Sequence, residues 1–428
     1  MTTLPAGSLL PLVIRTVAVT DPGSLLELLA EPQPLAWIRQ GDGIVGWGEA
    51  ARLEVAGSSR FSDAAEWWAR IVEGAVVRDE VDSPGTGPVV FASFAFDETA
   101  PSVLIVPQIV VGRRGMRCWI TTIDVGAHIT PTPTLSPGPT PVPPHELTFT
   151  DGSLSGVEWE RSVAEAVRRI CAGELEKVVL ARDLVARTDS PIDPRWPLGR
   201  LAQAYPTCWT YSVDGLLGAT PEMLVRLERG LVTSRVLAGT IRRTGDDAKD
   251  LALAASLARS SKDLEEHEYA VRSVANALSQ HCSSMYTPEA PFVLHLANVM
   301  HLATDVAGVV HDGASVLELA ASLHPTAAVC GTPTDAAQAV IRDLEGMHRG
   351  RYAGPVGWIG ADGDGELGIA LRCAEITSAA NGVATAAFAG SQVRLFAGCG
   401  IVAGSDPEAE LAEAQAKFLA VRDALLPD

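Results

Sequence analysis

Several features that mark particular protein classes are scarce in this sequence. Its seven cysteines are scattered, odd in number and free of any Cys-x-x-Cys pair, so neither a disulfide framework nor a zinc site is indicated. No apolar run approaches the ~18 residues of a membrane span, and the first residues lack the charged and apolar regions of a signal peptide. We therefore expect a soluble, cytoplasmic protein that does not associate with membranes.

Basic residues are also in short supply. The 33 lysines and arginines are outnumbered by 52 aspartates and glutamates, which gives a formal net charge of -19. Such a charge repels phosphate backbones and argues against a nucleic-acid partner. If the substrate is itself an anion, a few cations and a metal ion must create a local positive pocket for it.

Motifs for nucleotide binding are missing as well. The glycine-containing segments LAGT at 237–240 and FAGCGIV at 396–402 match neither the P-loop pattern nor the Gly-x-Gly-x-x-Gly pattern. Glycine allows backbone N–H groups to approach an anion closely, so both segments are candidates for a carboxylate contact. A β-bulge or a strand crossing is the more frequent cause of such glycines, and both interpretations stay open here.

The pattern along the chain changes near residue 145. The preceding part is strand-rich with one clear helix over 62–77, whereas helices and strands alternate from about 156. The proline-rich segment 130–144 cannot form a regular helix and predicts either a linker or an ordered loop lying over one domain. We divide the chain into a strand-rich region, 1–145, and a second region, 146–428.

Two predicted helices carry acidic residues close to their starts. Ser260 and Ser405 each stand three residues before an acidic residue, as in a capping box. The acidic pairs that follow are Asp263 with Glu266 and Glu410 with Glu413. A spacing of three places both members of a pair on one helix face. Because magnesium prefers hard oxygen ligands and draws only one or two carboxylates from a protein, the pairs suit a magnesium site. The alternative for each pair is a solvated acidic face.

Three further side chains have types that suit a reaction on an anion. Lys177, in the segment ELEKVVLAR at 174–182, can supply a base, and Glu222, at the end of GATPE, can supply an acid. Arg372 lies on a predicted strand over 366–376, on a face of otherwise small residues, where it can grip a carboxylate. The alternatives are a surface lysine at a strand start and a surface arginine on a half-exposed strand.

The segments LHPTAAVCGTP at 323–333, RGRYAGPVG at 349–357 and AGSDPE at 403–408 carry a family resemblance in combination. Together with the segments around Lys177, Glu222 and Glu413, they make the region from about 156 to 425 resemble the chorismate-utilising enzymes, which include anthranilate synthase component I. A weaker match, FASFAFD at 91–97, extends the resemblance into the first region. The chain is most similar to the isochorismate synthases.

The resemblance implies an α/β (α+β) fold in which two packed β-sheets are flanked by helices and the active site lies in the cleft between the layers. The two regions would then be parts of one large domain. It also implies that Lys177 is the general base that activates water for attack at C2 of chorismate, and that Glu222 is the acid that protonates the departing C4 hydroxyl. Glu266 and Glu413 would bind Mg²⁺ directly, with Asp263 and Glu410 acting through water.

The remaining site residues follow from the same resemblance. The positions expected to bind substrate are Gly239, Thr240, Tyr352, Arg372, Gly398, Gly400 and Lys417. Amine-transferring relatives typically carry glutamine at the position of Lys177, so a water-using isochorismate synthase is expected, as a monomer and without a glutamine amidotransferase subunit. The alternatives are a salicylate synthase and a chorismate-binding paralogue without turnover.

Overall fold

Two large β-sheets dominate the molecule. The computed structural model describes residues 11–29, 33–126, 130–378 and 390–427, without the side chains of Lys262 and Glu266. Within these residues one sheet has 13 strands and the other has ten, and helices pack on them. The predicted α/β class with two packed sheets and flanking helices is confirmed.

The strands, in chain order, are β1 (Leu12–Val19), β2 (Leu35–Arg39), β3 (Asp42–Trp47), β4 (Ala51–Val55), β5 (Val76–Asp79), β6 (Val89–Ser93), β7 (Ser102–Val106), β8 (Ile109–Arg114), β9 (Arg117–Val125), β10 (Thr148–Asp151), β11 (Lys177–Thr188), β12 (Trp209–Val213), β13 (Leu216–Thr220), β14 (Met223–Glu228), β15 (Leu231–Arg242), β16 (Cys282–Tyr286), β17 (Phe292–His295), β18 (Val299–Val310), β19 (Gly331–Thr332), β20 (Pro355–Gly360), β21 (Gly365–Ile369), β22 (Cys373–Ser378) and β23 (Ser391–Ile401).

The helices are α1 (Arg60–Gly74), α2 (Gly156–Cys171), α3 (Arg195–Ala204), α4 (Asp247–Leu257), α5 (Ser261–Ser279), α6 (Val316–Leu323), α7 (Thr334–Leu344) and α8 (Pro407–Leu425), with a short 3₁₀ helix over Leu25–Leu28. None of these helices is long and apolar enough to cross a membrane.

Both sheets combine strands from the two regions of the chain. The larger sheet has the order β10-β11-β23-β22-β13-β12-β2-β3-β8-β9-β1-β5, with β19 paired to β11. The smaller has the order β16-β18-β15-β14-β21-β20-β6-β7-β4, with β17 paired to β18. The pairs β2 with β12 and β6 with β20 join the region before residue 145 to the region after it. The compositional boundary therefore does not coincide with a break in either sheet.

Two of the places at which the chain passes from one sheet to the other are neighbours. Glu222 lies in the step from β13 of the larger sheet to β14 of the smaller, and Arg372 lies in the return step from β21 to β22. Backbone hydrogen bonds tie the steps to the strands beside them, since Ile369 N–H donates to the Glu222 carbonyl at 3.1 Å and Ala219 N–H donates to the Arg372 carbonyl at 3.2 Å. Two polar side chains are thus carried into the space between the layers.

The prediction of one strand over 366–376 is wrong. The strand ends at Ile369 and a new one begins at Cys373 in the other sheet. At the switch Arg372 adopts a positive φ of 48°, a conformation that non-glycine residues seldom occupy. A regular alternation of side chains could not continue through this point.

Helix α2 shows how local sequence positions the strand that follows it. Ser155 and Glu158 form a reciprocal capping box at its N-terminus. Its buried residues Trp159, Val163, Ala166 and Ile170 follow helical spacing, and the Trp159 indole N–H donates to the Ala181 carbonyl of β11 at 3.1 Å. Burying each large apolar side chain stabilises the packing by about 1.5–3 kcal/mol, so β11 is held firmly against the helix.

The helix starts near the acidic pairs were predicted with one error. Ser260 caps α5, as expected, and accepts a hydrogen bond from the Asp263 backbone. At α8, however, the capping residue is Asp406, whose side chain accepts from Ala409 N–H. Ser405 hydrogen-bonds Glu410 instead, at 2.8 Å. Proline at the first position of α8 leaves Asp406 as the last residue with extended backbone.

The proline-rich segment follows the ordered-loop alternative. It has no helix or strand, but Leu135 packs against a hydrophobic cluster of the larger sheet. Gly138 N–H donates to the Glu27 carbonyl at 2.7 Å, and Arg195 donates to the Pro139 carbonyl at 3.2 Å. These contacts place the segment on the surface of the larger sheet.

Candidate active site

A cavity of about 200 Å³, here the central cavity, lies between the two sheets beside the crossing steps. Its walls come from β11 and β23 of the larger sheet, β15 and β18 of the smaller sheet, and the helices α5 and α8. The predicted site residues that line it are Lys177, Glu222, Gly239, Thr240, Asp263, Tyr352, Arg372, Gly398, Gly400, Glu410, Glu413 and Lys417. Residues far apart in the chain are therefore brought to one place.

Lys177 is the first residue of β11 and is held by neighbours on both sides of that strand. It pairs with Thr332 of β19, and the next residue, Val178, pairs with Ile401 of β23. Only 8% of Lys177 is exposed. Lys177 is therefore a buried residue of the cavity wall and not the exposed surface lysine considered from the sequence.

A buried ion pair, which the sequence did not single out, fixes the same strand. The Arg349 guanidinium donates to the Glu345 carboxylate and also to the carbonyls of Val179 and Val329, each at 2.7 Å. Glu345 in turn accepts from Ala181 N–H at 2.8 Å. Arg349 also lines the central cavity. Arg349 is the first residue of the segment RGRYAGPVG, and this position was the sequence signal that could have indicated a role for it.

Glu222 is buried, with only 5% of its surface exposed. Burial raises the pKa of its carboxyl group to about 8, although the Leu237 backbone N–H and the positive charges of Lys177, Arg372 and Lys417 act in the opposite direction. Its own backbone N–H is held by the Thr220 hydroxyl at 3.2 Å. Glu222 therefore carries a proton at neutral pH and can donate it.

Arg372 meets a residue for which the sequence indicated no role. Its Nη2 donates to His301 Nε2 at 3.3 Å, while His301 Nδ1 lies 3.1 Å from the Thr240 hydroxyl and 3.3 Å from the Gly239 carbonyl. Burial, together with Arg372 and Lys417, lowers the pKa of His301 well below its ordinary value. The neutral ring links Arg372 to β18 of the smaller sheet. The first six residues of β18 are all buried, so no alternation along the strand sets His301 apart.

The segment with Gly239 forms a β-bulge. The register of β15 against β18 shifts between Ala238 and Thr240, and Gly239 has a φ of 74°. A Cβ atom at Gly239 would lie 3.1 Å from Asp263 Cβ, so glycine allows α5 to approach the strand. The bulge directs residues 239 and 240 toward the central cavity.

Tyr352 stands over β23 with its ring stacked on Phe396 at 5.1 Å between centroids. A Cβ atom at Gly398 would lie 3.1 Å from the Tyr352 hydroxyl, so a larger residue at 398 would displace this tyrosine. Burial raises the pKa of Tyr352, which keeps its hydroxyl neutral and able to donate. The predicted substrate contacts at 352, 398 and 400 thus occupy one wall.

Helix α8, which packs against β23, contributes the charged residues Glu410, Glu413 and Lys417 to the cavity wall. Lys417 Nζ lies 2.6 Å from Glu413 Oε1 and donates to the Gly398 carbonyl at 2.7 Å. Lys417 and its hydrogen bond lower the pKa of Glu413 against the effect of burial, so this carboxylate stays ionised. Ligand atoms of Glu410, Glu413 and Cys399 all lie within 4.8 Å of one another.

The donor set around α8 fits a hard cation. Burial raises the pKa of the Cys399 thiol well above its ordinary value, so this sulfur stays protonated and is a poor ligand. The oxygen atoms of Glu410 and Glu413 remain, and Asp263 of α5 lines the same cavity. Oxygen donors of this kind suit Mg²⁺. Glu266 lies on α5, but its side chain is outside the described part of the chain, so its role stays a prediction.

The family model for chorismate binding enzymes matches residues 12–426. The chain belongs to that family. The predicted resemblance to chorismate-utilising enzymes is confirmed.

This chorismate binding enzyme is similar in sequence to two isochorismate synthases of different bacteria. It is 39% identical over 273 residues to "Isochorismate synthase DhbC" of Bacillus subtilis, across 61% of this chain and 66% of that protein, slightly under two thirds of its length. It is 32% identical over 419 residues to "Salicylate biosynthesis isochorismate synthase" of Pseudomonas aeruginosa, across 91% of this chain and 84% of that protein.

Solved structures share the fold. The chorismate binding enzyme superposes on the menaquinone-specific isochorismate synthase MenF of Escherichia coli with a TM-score of 0.76 at 23% identity, across 98% of this chain and 95% of that one. At this identity the likeness concerns the fold alone. It agrees with the two-sheet architecture expected from the sequence.

Proposed function

We propose that the protein is an isochorismate synthase, which converts chorismate to isochorismate. The observation that carries the proposal is the placement of Lys177 and Glu222 on the wall of one cavity that also holds three carboxylates and the cations Arg372 and Lys417. The relatives named above support the same activity. Because the aligned region spans only 66% of the Bacillus protein, the activity is proposed for this chain on its own residues.

The proposed reaction divides proton transfer between two residues. Lys177 takes a proton from water as the oxygen forms a bond to C2 of the ring. The ring double bond shifts, and the bond from C4 to its hydroxyl breaks. Glu222 gives its proton to that hydroxyl, so that water leaves. One water enters and one departs, and substrate and product are isomers.

Charge complementarity supports an anionic substrate in this acidic protein. Arg372, Lys417 and the Tyr352 hydroxyl line the central cavity, and each can donate hydrogen bonds to a carboxylate. Gly398 and Gly400 leave room for the substrate beside β23, and Gly239 with Thr240 would lie next to the ring. His301 would hold Arg372 in position.

We assign Mg²⁺ as the cofactor. Glu413 and Glu266 would be direct ligands, with Asp263 and Glu410 acting through water. When bound, the ion would offset the negative charge of the ring carboxylate. The further proposals are that the protein acts as a cytoplasmic monomer and that water is used without an amidotransferase subunit.

The test is incubation of the pure protein with chorismate and Mg²⁺, followed by chromatographic separation of the products. We expect a mixture of chorismate and isochorismate, with ¹⁸O at C2 when labelled water is used. Pyruvate release at a comparable rate would assign a salicylate synthase instead. An aminated ring formed with ammonium would assign the amine-transferring branch, and no turnover would leave a binding paralogue.

Replacement of the proposed base gives the first specific prediction. Lys177→Ala should lower kcat by at least about 1,000-fold, because the proton-transfer group is removed, while chorismate still binds. Calorimetric titration with chorismate and steady-state kinetics measure the two effects. Lys249→Ala, a change at an exposed lysine on α4, is the control. Turnover retained in Lys177→Ala would assign the base to another group.

A further inference from the structure

A second cavity, here the rear cavity, adjoins the central cavity at Lys177. Its volume is about 570 Å³. Its walls come from the end of α2, the residues leading into β11, the outer part of α5, β19 and the turn after β23. Lys177 lines both cavities. Lys177 is therefore the residue at which the two cavities meet.

The rear cavity has the wrong charge for the substrate. Glu174, Glu176 and Glu265 line it, and Lys177 is the cation among its lining residues. Much of the remaining wall is apolar, with Ile170, Leu175 and Ala270 among its residues. A dicarboxylate would be repelled by three carboxylates, whereas a neutral water molecule would not be. The central cavity contains Arg372 and Lys417, which attract a dicarboxylate.

The proposed reaction requires water on the Lys177 side for each turnover. A substrate that fills a central cavity of about 200 Å³ leaves little space around its ring. The hydroxyl that departs from C4 is released on the side of Glu222, whereas the attacking water must stand beside Lys177. A route that reaches Lys177 through the rear cavity would supply this water while the substrate stays bound in the central cavity.

We propose that the rear cavity is the passage by which the nucleophilic water reaches Lys177, separate from the path of the substrate. This inference rests on the proposed function and assigns the positions of entry for the two reactants. The acidic walls of the rear cavity exclude the anionic substrate. Because the rear cavity meets the central cavity at Lys177, incoming water would arrive at the proposed base. Apart from Lys177, the residues that line the rear cavity control access of the nucleophile and do not contact the substrate.

A bulky side chain at the rim tests the passage. Ala403 is exposed and lines the rear cavity in the turn after β23. Ala403→Trp should lower kcat at least tenfold and leave the dissociation constant for chorismate within about twofold, because only the water route is narrowed. Glu174→Trp, from the turn after α2, should have the same effect and replaces the first variant if that one does not fold.

The control is Ala248→Trp, at an exposed position on α4 outside both cavities. It should retain wild-type kinetics. Unchanged kcat in a folded Ala403→Trp or Glu174→Trp protein would overturn the passage. Weaker chorismate binding with unchanged kcat would overturn it too and would make the rear cavity the substrate entrance. A wild-type protein that forms no isochorismate would instead defeat the proposed function, so the two failures are distinguishable.

Discussion

At the scale of the residue, burial decides the chemistry of Glu222. An exposed glutamate is ionised at neutral pH and cannot donate a proton. Here burial between two sheets raises the pKa to about 8, even though several cations nearby favour ionisation. Glu222 lies in the step from β13 to β14, and this location shields its carboxyl group from water. The fold therefore prepares an acid from an ordinary residue.

This pKa predicts the alkaline limit of activity. Because a general acid works only in its protonated form, kcat/KM should fall as the pH rises through about 8, the pKa of Glu222 in the free protein. A profile of kcat/KM against pH between 6 and 10 measures this decrease, the alkaline limb of the profile. A profile that stays flat to pH 10 would remove Glu222 from the role of acid.

Glu222→Gln is the matched variant for that profile. It should lose turnover, and any remaining activity should lack the alkaline limb. The folded pKa of Glu222 lies above its unfolded value, so its favourable contribution is complete below about 4.5 and is lost as the pH rises toward about 8. In that window the wild type loses up to ~1.4 kcal/mol per pH unit. The variant should therefore melt at a higher temperature than the wild type at pH 8.

Arg372 gives a prediction about shape at constant charge. Arg372→Lys retains the positive charge but removes the planar fork and the contact to His301, so KM for chorismate should rise about tenfold or more. Steady-state kinetics measure the change, with Arg259→Lys at an exposed position as control. An unaltered KM would make Arg372 a structural residue.

The sequence could predict residue types at the site better than their surroundings. Lys177, Glu222 and Arg372 were predicted from motifs, and all three line the central cavity. The positive φ of Arg372 and its contact with His301 could not be predicted, because both depend on a strand that changes sheets. The buried ion pair of Glu345 and Arg349 could not be predicted for a similar reason, since its hydrogen-bond partners lie in other elements.

At the scale of the element, α8 places three charged residues along one side. Glu410, Glu413 and Lys417 are three and four residues apart, and all line the central cavity. Ionised Glu413 contacts Lys417 at 2.6 Å. In the proposed function, one helix would thus present both an anion for the metal and a cation for the substrate. A metal ion bound by Glu413 must therefore either share this carboxylate with Lys417 or displace the Lys417 amine from it.

Glu413→Gln tests the metal assignment. The change keeps the size of the side chain and removes its charge, so the Mg²⁺ concentration for half-maximal activity should rise at least tenfold, or activity should vanish. Titration of activity with Mg²⁺ measures this. Glu408→Gln, at an exposed position in the first turn of α8, should behave as wild type. Full wild-type activity in excess chelator would contradict the assignment.

Elements were predictable where short-range signals agree. The helix predicted over 62–77 is α1, which begins two residues earlier and ends three residues earlier than expected. The two-residue strand β19 and the end of β21 at Ile369 were not predicted, because neither has a local composition that differs from its surroundings. Their boundaries are determined by pairing with β11 and by the change of sheet.

At the scale of the whole molecule, the two regions of the chain share both sheets. β2 pairs with β12 and β6 pairs with β20, so hydrogen bonds cross the compositional boundary in each layer. The main hydrophobic cluster likewise contains residues from before and after residue 145. We propose that 1–145 and 146–428 are not independent domains.

The expected consequence is a single cooperative unfolding transition. Differential scanning calorimetry of the full chain should give one peak, because neither region can keep its sheets paired without the other. A fragment of residues 146–428 should lack the sharp transition of the full chain. Two separated peaks, or a fragment that unfolds cooperatively, would contradict shared folding.

The order of strands could not be predicted from the sequence. The family resemblance gave two packed sheets, but β23 lies between β11 and β22 although about 200 residues separate β11 from β23 along the chain. Pairing over such distances depends on loop closure and on the packing of the complete core, and no local pattern contains it.

The late position of β23 and α8 has a consequence for synthesis on the ribosome. Chain growth is vectorial, and β11 emerges long before its neighbour β23. Until then the edge of β11 stays open to other chains, and long-range strands of this kind are prone to aggregate. A nascent chain without α8 also lacks Glu413 and Lys417. The nascent chain therefore exposes this strand edge until β23 has been synthesised, and it cannot form the complete wall of the central cavity before α8 has emerged.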